Sequence, residues 1–156
     1  MRRREFIALL GGATAAVPYA AGAEPAHAMG RISERLAGAW RFVSSLNTRD
    51  DGSTFDRWGQ DSKGSFMFDG NGHFSQIIMG SESRMFGAKT FFAFGTYSVD
   101  EAGRTVVTQI EGSSISKLNG TVQRRVITVL TADELRYLNP TTASGTKVDA
   151  RWERMK

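Results

Sequence analysis

The sequence predicts an all-β fold, an antiparallel up-and-down β-barrel of about 8–10 strands, on three observations. Apolar and polar residues alternate with period two in run after run from Gly38 onward, with no amphipathic helix of useful length. The runs are separated by short turn signals: "DDGS" at 50–53, "DGNG" at 69–72, "DEAG" at 100–103 and "TADE" at 131–134. Connections that short join antiparallel neighbours. Finally, 17 glycines stand against 3 prolines in 156 residues, a balance suited to many turns and many strands. A meander of this size buries its apolar face either in two packed sheets or in one sheet closed on itself, and the interior positions favour closure.

The first strand covers 38–48, with Trp40, Phe42, Ser44 and Leu46 on one face and Arg41, Val43 and Ser45 on the other. A run over 53–58 is a doubtful strand. "GSFMFDGNGHFSQIIMG" is the clearest hairpin, with strands 64–69 and 72–80. Residues 81–91, "SESRMFGAKTF", are less regular and read as a lid or short helical turn. Strands 92–99 and 104–111 form the next hairpin, and "GSSISKLNG" connects them to 121–130. Strands 134–139 and 146–155 complete the series. The eight firm runs suit a closed antiparallel meander, which needs an even number of strands. Either the 53–58 run is irregular or it has a further partner.

Residues 1–28 have a basic start, a weakly apolar stretch from Phe6 to Ala23, and small-x-small sites, the layout of a secretory signal. Arg3-Arg4-x-Phe6-Ile7 resembles a twin-arginine signal, with Arg2 departing from the usual Ser or Thr. Pro18 and the Gly/Ala-rich run argue against a retained membrane span. Cleavage after Ala23 or after Ala28 fits. The expectation is a bacterial precursor handled by the twin-arginine export machinery, giving a periplasmic or secreted domain over 29–156. About 130 residues suffice for one core.

The net charge is +4, and +3 once residues 1–28 are removed. Lys and Arg are scattered along the chain, so nucleic acid is not an expected partner. Cysteine is absent, which excludes disulfides, thiol catalysis and Cys-ligated metals. After cleavage at Ala28 one histidine remains, His73, beside a hairpin turn and without a G-x-S-x-G elbow elsewhere. No metal, cofactor or catalytic residue is assigned.

Trp40 follows Gly38 by two residues at the start of the first strand, and the last strand puts Val148, Ala150, Trp152 and Arg154 on one face. In a closed meander these strands become neighbours, so Arg154 can cover the Trp40 ring while Gly38 leaves space beneath it. Gly38-x-Trp40 with a basic residue on the last strand resembles the calycin superfamily. The ordered pieces "LAGAWRFVSS", "DDGS", "WGQDSKGSFMFDGNGHFS", "FGTYSVD", "VTQIEGSS", "LNGTVQRRV", "ELRYL" and "WERM" resemble its bacterial and fungal lipocalin-like domain family over about 36–155. Thr108-Gln109 departs from that pattern, where many relatives would have histidine. The resemblance implies a barrel with a central cavity.

The candidate lumen residues are Phe66, Phe68, Tyr97 and Tyr137 as aromatic lining, with Gln76, Gln109, Glu111, Gln123 and Arg125 as polar groups. Glu111 shares a strand face with Val107 and Gln109. If that face is the lumen, Glu111 needs a partner, and Arg125, on a face with Gln123 and Ile127, is the candidate. A register slip of one residue would invert such assignments. Three functions fit these residues. The first is a lumen for a small apolar or amphipathic molecule. The second is a cofactor-free isomerase or cyclase using a buried carboxylate or tyrosine. The third is a cavity-free barrel acting through its surface.

Overall fold

A computed structural model describes residues 30–84 and 87–156. The leader, with Arg3, Arg4 and both cleavage sites, lies outside the described residues. A short helix, α1 (Ile32–Leu36), leads into nine strands: β1 (Gly38–Thr48), β2 (Thr54–Phe55), β3 (Lys63–Phe68), β4 (His73–Arg84), β5 (Gly87–Asp100), β6 (Thr105–Ser113), β7 (Val122–Leu130), β8 (Glu134–Asn139) and β9 (Lys147–Arg154). A 3₁₀ turn, Ser116–Leu118, sits in the β6–β7 connection.

Each strand from β3 to β9 pairs antiparallel with the next, β1 pairs with β3, and β9 returns to β1. Eight strands therefore close into a barrel. The two-residue β2 pairs only with the far end of β1, through Asn47↔Phe55 and Thr48↔Thr54. This resolves the odd strand count: the 53–58 run is mostly irregular and takes no part in closure. Within 81–91, the described residues 81–84 and 87–91 are strand and not a helical turn. There β4 runs to Arg84 and β5 starts at Gly87, with Ser83↔Ala88 and Arg84↔Gly87 paired beyond a register shift after Met79. The helix α1 has no counterpart in the sequence reading, because five residues are too few to display a helical period.

A bulge changes the facing of β1. Its register against β9 shifts between Phe42 and Ser44, so two β1 residues fit where one would in a regular ladder. Trp40 and Phe42 point inward before it, and Ser45 and Asn47 do so after it. Strict alternation places Ser44 and Leu46 with Trp40, but Leu46 is on the outer face and 49% exposed.

One end of the barrel is closed by packed aromatics. Trp40, Trp152, Phe66, Phe68 and Phe74 are all buried. The Phe66 ring lies 4.2 Å from Phe68, 5.4 Å from Trp152 and 6.0 Å from Phe74. Trp40 and Arg154 are direct cross-strand partners, and the guanidinium stands 4.1 Å from the Trp40 ring centroid. Arg154 donates from Nη1 to the Ala37 carbonyl at 2.9 Å, from Nε to the Ala132 carbonyl at 2.7 Å, and from Nη2 to the Arg35 carbonyl. It thus ties the α1–β1 junction to the β7–β8 turn. Gly38, at φ +125°, leaves room for it, since a Cβ there would lie 2.7 Å from Arg154 Nη1. Trp40 Nε1 donates to the Leu36 carbonyl at 2.8 Å. Ile32 and Leu36 of α1 are buried against this end.

The start of α1 is held by Glu101 from the β5–β6 turn, which accepts from the Ile32 and Ser33 N–H groups at 2.8 and 3.0 Å. Slight burial pushes the Glu101 carboxyl up, but the hydrogen bonds from Ser33 and Ile32 outweigh it and leave the group below the ordinary carboxylate range.

Trp40→Ala is expected to destabilise the barrel by about 3–5 kcal/mol, the range for emptying a large buried aromatic site. Arg154→Ala should cost less, since that side chain is only half-buried. In a double-mutant cycle by urea unfolding the two losses should be non-additive; additive losses would mean the rings and guanidinium do not act as one closure. The lowered Glu101 carboxyl gives a second expectation. Its contribution is present above the unfolded-state value and is lost as pH falls through the folded-state value. The protection factors of the Ile32 and Ser33 amides, that is, exchange relative to the intrinsic rate at each pH, should therefore fall on acidification before the strands open, and Glu101→Gln should remove that pH dependence of protection. Equal protection across that pH range would refute the clamp.

Candidate functional site

The opposite half of the barrel is not filled. It holds a cavity of about 390 Å³ that extends to the end carrying the β2, β4–β5, β6–β7 and β8–β9 connections. Its walls are apolar: Phe42 from β1, Ile78 from β4, Phe91 from β5, Ile110 from β6, and Val148 and Ala150 from β9. Trp58, Ile115 and Leu118 come from the connecting segments, together with the cations Arg57 and Lys117. Lys89 Nζ donates to the Arg57 carbonyl at 3.2 Å and lies 5.9 Å from the Trp58 ring, fixing the segment that carries both residues.

The polar residues come from strands on several sides. Arg125 on β7 is 4% exposed, and its guanidinium lies 5.5 Å from the Phe66 ring and 5.7 Å from the Tyr137 ring. Its Nη1 donates to Thr108 Oγ1 at 2.6 Å, and Nη2 reaches Gln76 Oε1 at 3.4 Å. Gln76 Nε2 in turn approaches the Tyr137 hydroxyl at 3.4 Å. Three buried polar atoms of cavity-lining residues have no hydrogen-bond partner: Arg125 Nε, Ser45 Oγ and Asn47 Nδ2. No Asp or Glu lines the cavity among the described residues, and Arg125 forms no ion pair with one.

Four of the sequence-derived lumen residues, Gln76, Gln123, Arg125 and Tyr137, meet at this cavity. Phe66 and Phe68 are inside the barrel but belong to the aromatic plug beneath it. Tyr97 is half-buried at the closed end, 5.0 Å from the Phe68 ring, and donates its hydroxyl to the Asp69 carbonyl at 2.7 Å. Burial, with the Asp69 charge adding to it, pushes the Tyr97 phenol up and keeps it a protonated donor.

Two assignments are wrong in sign. Gln109 and Glu111 are exposed on the outer face of β6, while Val106, Thr108 and Ile110 face inward. Arg125 pairs across the ladder with Val106, and Thr108 with Gln123. The Glu111–Arg125 pair therefore does not form. Apolar side chains occur at both parities of β6, with Val106 and Ile110 on one and Val107 on the other, so alternation alone does not select the face. The same ambiguity affects β5, where Phe92 and Phe94 are exposed at 44% and 48% and Phe91 and Ala93 turn inward.

The sequence reading also missed residues. Ser45 and Asn47 were hidden by the β1 bulge, and Trp58 by its irregular segment. Thr108, which turns inward and accepts from Arg125, was not among the expected lumen residues. Trp58 carried a usable signal, a large aromatic beside a glycine in a connecting segment.

Neither a protein-family description nor a curated protein matches the chain. Solved structures similar to it include a de novo fluorescence-activating β-barrel, at 14% identity and TM-score 0.48 over 81% of this chain and 100% of that one. A redesigned barrel, mFAP1 bound to DFHBI, is 19% identical with TM-score 0.40, covering 80% and 99% of the two chains. Bovine odorant binding protein in complex with a selenium-containing odorant is 17% identical with TM-score 0.47, covering 82% and 75%. Likeness at this level says nothing about what this barrel holds.

A buried guanidinium without a carboxylate loses much of its hydration, which two hydrogen bonds and two ring faces only partly replace. In the ligand-free protein, Arg125→Met is expected to raise stability by about 1–3 kcal/mol. A loss in urea unfolding would show instead that the bonds to Thr108 and Gln76 dominate.

Proposed function

We propose that the chain is an exported lipocalin-like barrel that holds a small apolar or amphipathic molecule in its lumen. The cavity carries this reading: about 390 Å³, with apolar walls interspersed with polar side chains from several strands, a composition that suits a small-molecule site. The unpartnered Ser45, Asn47 and Arg125 atoms support it, because buried polar groups in folded proteins are normally satisfied. A barrel stable without these groups would have apolar side chains there.

The export half of the proposal rests on residues 1–28. Arg3 and Arg4 would address the precursor to the twin-arginine machinery, and a cysteine-free domain needs no oxidative step after crossing into the periplasm.

Titration with N-phenyl-1-naphthylamine, a neutral apolar fluorophore, tests the lumen. Saturable enhancement is expected, and Val148→Trp, which fills the half-buried wall, should weaken it at least tenfold, or about 1.4 kcal/mol. Unsaturable fluorescence, or affinity indifferent to Val148→Trp, would refute lumen binding. For export, Arg3→Lys with Arg4→Lys should hold the precursor inside a bacterial cell, and an unchanged periplasmic yield would refute that route.

A further inference from the structure

We infer that the ligand is a monoanionic amphiphile whose carboxylate is taken by Arg125; this rests on the lumen-binding reading above. Arg125 is a permanent cation, 4% exposed, with no carboxylate from the described residues beside it. Its two hydrogen bonds go to neutral acceptors, Thr108 Oγ1 and Gln76 Oε1, and its Nε has none. A guanidinium presents five N–H donors in a planar fork that matches a carboxylate in two places at once. The remaining donors of Arg125, including Nε–H, suit that bidentate contact.

The rest of the cavity agrees in sign. Its lining contains three cations, Arg57, Lys117 and Arg125, and no acidic residue. The two nearer the entrance raise the local concentration of anions. A single negative charge balances the one buried cation, whereas a second would be desolvated without a partner. Above the guanidinium, Ile78, Ile110, Phe42 and Val148 provide an apolar wall for the remainder of the molecule.

Decanoate and decan-1-ol, competed separately against N-phenyl-1-naphthylamine at pH 7.5, test this. The wild-type chain is expected to bind decanoate at least tenfold more tightly than decanol. Arg125→Met should erase that preference while still binding the fluorophore, which shows that the lumen survives, and Arg125→Lys should retain part of it. Equal affinity of the wild type for the two competitors overturns the anion assignment and leaves lumen binding standing. A preference for decanoate that persists in Arg125→Met overturns the assignment to Arg125. Failure of the wild type to bind the fluorophore and both competitors overturns the lumen reading together with this one.

Discussion

The return of β9 to β1 is the contact on which the rest depends. An open meander would leave two edge strands with unpaired backbone groups, and closure removes both. Trp40 and Arg154 sit where the two strands meet at one end. The guanidinium covers a ring and also bonds three backbone carbonyls from two other segments. It therefore couples strand pairing to the capping of that end by α1. Gly38 is part of the same device, since any side chain there would occupy the space Arg154 uses.

Closure at one end lets the barrel divide its interior. The buried aromatic rings pack the closed half and leave the other half hollow. Arg125 lies at the boundary, against Phe66 and Tyr137 of the packed side. The ring faces and the Thr108 hydroxyl hold it in position without neutralising it. On the proposed reading, stability and function pull apart at this residue: its uncompensated burial costs the fold, whereas its charge would serve recognition. Ser45 and Asn47 extend the same pattern along β1, turned inward by a bulge that interrupts the apolar alternation.

Part of the candidate site was legible in the sequence. On β7 the face of Gln123, Arg125 and Ile127 does point inward, although the outward face carries Val122 and Val126 beside Arg124 and Thr128, so polarity alone does not select it. On β9 the set Val148, Ala150, Trp152 and Arg154 kept its face as well. Gln109 and Glu111 failed for a definite reason. β6 has valine at adjacent positions, so period two fits either phase, and the register against β5 slips at Gly95. β1 failed for a different reason, a single extra residue that reverses the phase midway.

The sequence by itself determined the all-β class, the hairpin order, and the meeting of Trp40 with Arg154. Each follows from local turn chemistry, period-two patterning and the adjacency of first and last strands in a closed meander. Only the tertiary structure decided that β2 stays out of the barrel, that β6 turns Thr108 rather than Glu111 inward, and that Arg125 has no acidic partner among the described residues. Those outcomes depend on bulges and on how side chains from distant strands share one interior. Such packing is a property of the closed barrel that no single run of residues encodes.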